Sequence, residues 1–86
     1  MNALNKNEAQ RDYLERIAQT KHDELIKLVI ERRKNMGLSL GRMAEETQIY
    51  KSYLHRLEKG KISMSLKKLL VLCEILGLEV IIKPKE

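Results

Sequence analysis

Cysteine is nearly absent from this sequence. Cys73 is the only one, so no intrachain disulfide can form. That usage fits a reducing compartment, and the expected location is the cytoplasm. Aromatic side chains are also scarce. Three tyrosines, with no tryptophan and no phenylalanine, do not make a stacking platform for single-stranded bases. No apolar run is long enough to span a bilayer, and no N-terminal stretch has the layout of a secretory signal, so no membrane partner is expected. His22 and His55 lie far apart in the chain with no acid evidently paired to either, and Glu45-Glu46 reads as a solvated helix face. No cluster has metal-ligand spacing. The expectation is no enzyme, no metal and no cofactor.

What is present is a short, charged chain. Its 86 residues set a limit of one domain. A core of that size is marginal, and association with a second copy is a common remedy. The net charge is +5 and is unevenly spread. Residues 1–20 hold three basic and three acidic side chains. Residues 21–62 hold ten and six, and residues 63–86 hold four and three. A basic middle suits nucleic acid or an acidic surface as partner.

The hydrophobic spacing divides the chain into three parts. Residues 1–22 form an extension that is polar and aperiodic over 1–7, then weakly helical, with Leu14, Ile17 and Ala18 in a narrow stripe beside Tyr13. It reads as a separate short helix or as the first half of a longer one. Residues 23–77 carry strong helical periodicity. Asp23 reads as an N-cap, Leu25, Leu28, Val29, Arg32 and Met36 recur at helical spacing with Ile26, Ile30 and Arg33 on the adjoining face, and Gly37 is placed to end the helix. Ser39 then caps a short helix to about Thr47, with Leu40, Met43, Ala44 and Thr47 inward. Gln48-Ile49 makes a tight turn, and Tyr50 to Lys59 forms a third helix with Leu54 and Leu57 inward. After Gly60, Ser63 or Ser65 caps a strongly apolar helix to Leu76, in which Cys73 reads as a small core residue. Residues 78–86 change period. Leu78, Val80 and Ile82 alternate with Glu79, Ile81 and Lys83, a strand pattern that Pro84 closes. No second strand exists in the chain, so this one is expected to pair across a homodimer. The fold class is all-α: a bundle of four or five helices with a short C-terminal β-strand.

Two short helices joined by a tight turn and backed by a longer apolar helix have the layout of a helix-turn-helix, whose second helix enters the major groove. The residues themselves resemble the Cro/repressor, or Xre, class of helix-turn-helix proteins. The likeness rests on Arg33, Met36-Gly37-Leu38-Ser39, Met43-Ala44-Glu45, Ile49, Leu54, Leu57-Glu58-Lys59-Gly60-Lys61, Ser65-Leu66 and Leu76-Gly77-Leu78, and covers about residues 24–78. Four positions depart from that pattern. Leu40 stands for a glutamine, Gln48 for a turn glycine (which puts a side chain at a positive φ), Tyr50 for a Ser or Thr cap, and Met64 for a proline.

The resemblance implies a role for each matched position. Lys51, Ser52, Arg56 and Tyr53 are expected at base edges. Ser39, Leu40, Tyr50, His55, Lys59, Lys61, Lys67 and Lys68 are expected along phosphates. Arg33 and Glu58 are expected to form a structural ion pair. With its terminal strand the domain further resembles the HipB-type antitoxins, which implies a transcriptional repressor that controls its own operon, a palindromic DNA operator, a homodimer held by Leu78, Val80 and Ile82, and a toxin partner. Two other readings stay open: a phage or mobile-element repressor without a toxin, and a protein-interaction module that has lost DNA binding.

Overall fold

The computed structural model describes residues 3–85, with side chains from residue 7 onward. Four α-helices follow one another: α1 (Ala3–Asn35), α2 (Leu40–Thr47), α3 (Lys51–Glu58) and α4 (Leu66–Leu76).

Helix α1 sets the outline of the molecule. Its 33 residues make a rod of about 50 Å, against a longest molecular extent of 53 Å. No helix boundary falls at Asp23, and this corrects the expected N-cap. Neither glycine nor proline occurs before Gly37, so nothing in the backbone forces a stop there. The Asp23 carboxylate instead accepts from Gln19 one turn back, at 2.9 Å. One helix therefore runs across the expected boundary at residue 22. Residues 3–7 belong to it as well, while Met1 and Asn2 lie outside the described residues. From Asn7 to Lys21 every side chain is exposed except the half-buried Ile17.

The helix stops at Gly37, which takes φ +69°, a left-handed conformation that costs a residue without Cβ nothing. The Gly37 N–H donates to the Lys34 carbonyl and the Leu38 N–H to the Arg33 carbonyl, both at 3.0 Å. This two-bond closure satisfies carbonyls that the helix end leaves without partners. Gly60 and Gly77 close α3 and α4 in the same way.

The core is drawn from all four helices: Ile26 and Val29 of α1, Met43 of α2, Leu54 and Leu57 of α3, and Leu72 and Leu76 of α4. Leu38, Leu40, Ala44, Ile49, Ile62, Met64 and Leu78 pack around it. Helix α1 carries two adjoining apolar faces, and the structure buries one of them. Ile26, Val29 and Ile30 point inward, whereas Leu25 and Leu28 remain 45% and 57% exposed. Helix α4 likewise buries Leu72, Cys73 and Leu76 but leaves Leu66, Leu70 and Val71 exposed. Arg32 locks the two helices together, its Nε donating to the Leu76 carbonyl at 2.8 Å.

The strand expected over Leu78, Val80 and Ile82 is not formed in the single chain. No strand occurs among the described residues, and residues 78–85 carry no regular structure. A strand is defined by its ladder, and one copy of this chain supplies no partner for it. Leu78 packs on the core, Val80 and Ile81 line a shallow apolar groove with Leu25, Leu28 and Leu69, and Ile82 is 86% exposed.

Candidate nucleic-acid interface

Helices α2 and α3 form the unit that the sequence singles out. The Ser39 hydroxyl accepts the Arg42 N–H at 3.0 Å and starts α2. At the other end the Thr47 hydroxyl donates to the Met43 carbonyl at 2.7 Å and accepts the Ile49 N–H at 3.3 Å. Gln48 then takes φ +60°. It is the one non-glycine residue in the left-handed region among those described, and its Nε2 donates to the Glu45 carbonyl at 2.8 Å. Ile49 tucks against the core, and Tyr50 precedes α3 without a side-chain cap bond. The turn between the helices is thus three residues long, 48–50.

Helix α3 has one buried and one open face. Leu54 and Leu57 are buried. At roughly 100° per residue, Ser52, His55 and Arg56 point away from those leucines, and Lys51 lies at the edge. All four are exposed. Tyr53 sits at the opposite edge and is half-buried. The Lys68 ammonium lies 4.2 Å from the centre of its ring, and its hydroxyl donates to the Ser63 carbonyl at 3.4 Å. Tyr53 thereby braces the α3–α4 loop.

The flanking residues are distributed around this face. Lys59 ends α3, Lys61 lies in the exposed loop beyond it, and Lys67 and Lys68 occupy the first turn of α4 behind the cap Ser65. Tyr50 is 84% exposed. Leu40 is half-buried against the core, which leaves only its backbone N–H, at the first position of α2, for an outside acceptor. Arg42 is tied to Glu46 one turn on, at 2.9 Å.

Arg33 and Glu58 are brought together. Arg33 Nε and one terminal nitrogen hold the two Glu58 oxygens at 2.8 and 2.9 Å, and the other terminal nitrogen donates to the Leu38 carbonyl at 2.9 Å. The pair joins the end of α1 to the end of α3, so it sets the depth at which α3 sits against the bundle.

Two short helices, a three-residue turn, a buried leucine pair and an open polar face on the second helix agree with the comparison of the whole chain. The helix-turn-helix domain family matches residues 27–80. The chain belongs to that family. No match is found among curated proteins or among solved structures. Membership of the helix-turn-helix family supports a DNA-binding regulator of the Xre-like kind. Among the described residues, no helix is long and apolar enough to cross a membrane.

Two tethers that matter to this unit are not legible in the sequence. His22 lies outside the matched span, yet its Nε2 accepts the Met64 N–H at 3.1 Å. No local pattern signals a bond across 42 positions. The resemblance assigns Tyr53 to bases because it falls on α3. Its bond to Ser63 depends on the path of a loop that periodicity does not describe.

Proposed function

We propose that this protein is a sequence-specific, double-stranded-DNA-binding transcriptional repressor that works as a homodimer. Lys51, Ser52 and Arg56 read base edges, with Tyr53 at the margin. Ser39, the Leu40 backbone, Tyr50, His55, Lys59, Lys61, Lys67 and Lys68 lie along phosphates. The observation that carries this reading is the open face of α3, where four polar side chains are exposed back to back with two buried leucines. The major groove admits one such helix, and an Arg or Lys on it can bond guanine O6 and N7.

Electrostatics supports the same assignment. No acid lies in the first turn of α2, α3 or α4. Lys51 stands there in α3, and Lys67 and Lys68 in α4, where the helix dipole disfavours cations. An arrangement that weakens the isolated helices suits a polyanion laid across them.

The finer role is an antitoxin that represses its own operon, which rests on the resemblance to HipB-type antitoxins. The exposed first half of α1 is then the surface for a toxin. The dimer forms over the apolar face shared by α1, α4 and the tail, where residues 78–82 gain in their own copy the strand partner that one chain lacks.

A second reading, an interaction module without DNA binding, is favoured by two observations: Leu40 turns into the core, and Tyr50 gives α3 no cap bond. Footprinting on duplexes selected from random sequence tests both readings. Two symmetric half-sites about 34 Å apart, or a multiple of that, are expected, with affinity falling steeply as salt rises. One half-site bound by one chain counts against the dimer, and absence of salt-dependent binding favours the module.

A further inference from the structure

The loop between α3 and α4 is held at two consecutive residues by two different helices. Tyr53 of α3 holds the Ser63 carbonyl, and His22 of α1 holds the Met64 N–H. The second bond fixes the state of the imidazole. Nε2 accepts, so Nδ1 carries the proton and donates to Asp23 Oδ1 at 3.2 Å. This bond, followed by the one from Gln19, holds the Asp23 carboxyl below the usual carboxylate range. A relay of hydrogen bonds therefore runs from an α1 carboxylate through a mostly covered imidazole to the loop backbone. Met64 immediately precedes the α4 cap Ser65. Lys61 lies three residues before it, and Lys67 and Lys68 follow in the first turn.

We propose that His22 is a positioning residue for these lysines. By accepting the Met64 N–H it sets the path of the loop and the first turn of α4, and so the places of Lys61, Lys67 and Lys68 along a phosphate backbone. This role rests on the DNA-binding reading above. The physical argument is entropic. A lysine on a fixed backbone loses less freedom on engaging a phosphate than one on a wandering loop. Met64 lacks the fixed φ by which a proline would restrict this loop. Here the residue keeps its N–H, and α1 takes hold of it.

The test uses the full-length chain with His22→Leu, His22→Gln, Met64→Pro and the double variant His22→Leu/Met64→Pro. Duplex affinity is titrated against salt, thermal unfolding is followed by circular dichroism, and the Met64 amide exchange rate is read by NMR. His22→Leu is expected to speed Met64 exchange, weaken binding to all duplexes alike by several-fold, and flatten the log affinity–log salt slope by about 0.9 for each phosphate no longer neutralised. His22→Gln keeps an acceptor and is expected to restore all three. In the Met64→Pro background, which has no N–H to hold, His22→Leu is expected to change neither affinity nor slope. A wild-type affinity and slope in His22→Leu would overturn the proposal. So would a loss that only tracks the folded fraction with the slope unchanged, or an equal loss in the Met64→Pro background. If the wild-type chain shows no salt-dependent duplex binding, the proposed function itself fails and takes the positioning role with it. If the wild type binds and the variants match it, only the positioning role fails.

Discussion

Arg33 grips Glu58 with two nitrogens and the Leu38 carbonyl with a third, so one guanidinium joins the end of α1, the following turn and the last turn of α3. The two side chains are only 12% and 14% exposed. Removing one partner strands the other charge in a mostly covered site, which costs about 3–5 kcal/mol when burial is substantial. Glu58→Ala and Arg33→Ala are each expected to fall in that range in urea unfolding. Replacing both at once by apolar residues of similar volume, as in Arg33→Met/Glu58→Leu, is expected to cost less than either single change. A single variant that loses under about 1 kcal/mol, the range of a surface pair, would show that solvent reaches the site.

Gln48 occupies a conformation that favours glycine. At φ +60° its Cβ crowds the following carbonyl, and its exposed hydrogen bond to Glu45 offsets only part of that strain. Gln48→Gly is expected to raise stability by about 0.5–1 kcal/mol without changing duplex specificity. A fall in stability would mean that the side-chain bond outweighs the backbone strain.

Much of this fold was legible because its punctuation is local. Gly37, Gly60 and Gly77 and the caps Ser39 and Ser65 act within one turn of where they stand, so spacing alone marks the ends of three helices. The inward faces of the short helices were legible for the same reason: Met43, and Leu54 with Leu57, have no apolar rivals nearby. Helices α1 and α4 each carry more apolar residues than one neighbour can cover, so periodicity could not say whether Leu25 or Ile26 would be buried. The tail differs from its sequence pattern for another reason. Alternation of Leu78, Val80 and Ile82 specifies a strand only where a ladder partner exists. In the candidate interface, the open face of α3 follows from its own period, whereas the Tyr53 and His22 tethers depend on a loop path that no spacing encodes.

Arg56 and Lys61 are expected to fail in different ways. Arg56 lies on the face of α3 opposite its buried leucines, and Lys61 lies in the loop past its end. Arg56→Ala should relax preference at one base pair, a loss of about 1–3 kcal/mol against the correct site. Lys61→Ala should weaken every sequence alike and reduce the salt slope by about 0.9. Selection of binding sites from random duplex with each variant separates the two. Equal, sequence-blind weakening by both would remove Arg56 from the bases.

Burial pushes the Cys73 thiol up from its ordinary 9.0. Since the thiolate is the reactive form, alkylation at pH 8 is expected to be slow in the folded protein and fast in urea. The unfolded chain releases this proton first, so the contribution is fully present below pH 9 and is lost as pH rises through the folded value. The stability gap between wild type and Cys73→Ala should accordingly narrow between pH 8 and pH 10. Rapid labelling of the native protein would place the thiol in contact with water.

The dimer is expected to close over the groove between α1, α4 and the tail. Leu25, Leu28, Val80 and Ile81 line it and remain exposed, and an apolar surface of this kind marks an interaction site in a small protein. A two-fold axis would cover it with its own copy and bring two copies of residues 78–82 side by side, antiparallel, so that each ladder gains a partner at once. Truncation after Gly77 is a poor test, because it also removes Leu78, whose N–H closes α4 at 2.8 Å and whose side chain packs on the core. Two point variants are cleaner. Val80→Pro takes one N–H from the ladder and leaves Leu78 in place. Leu28→Glu sets a charge on a surface that is 57% exposed in one chain and therefore costs the isolated fold little, yet must be desolvated in the dimer. Sedimentation at low micromolar concentration should show both variants shifted toward monomer, with helical circular dichroism near the wild-type level and operator binding no longer cooperative. If Leu28→Glu dissociates the dimer and Val80→Pro does not, the helices α1 and α4 carry the interface and the tail is a bystander. If neither does, the two copies meet on another face.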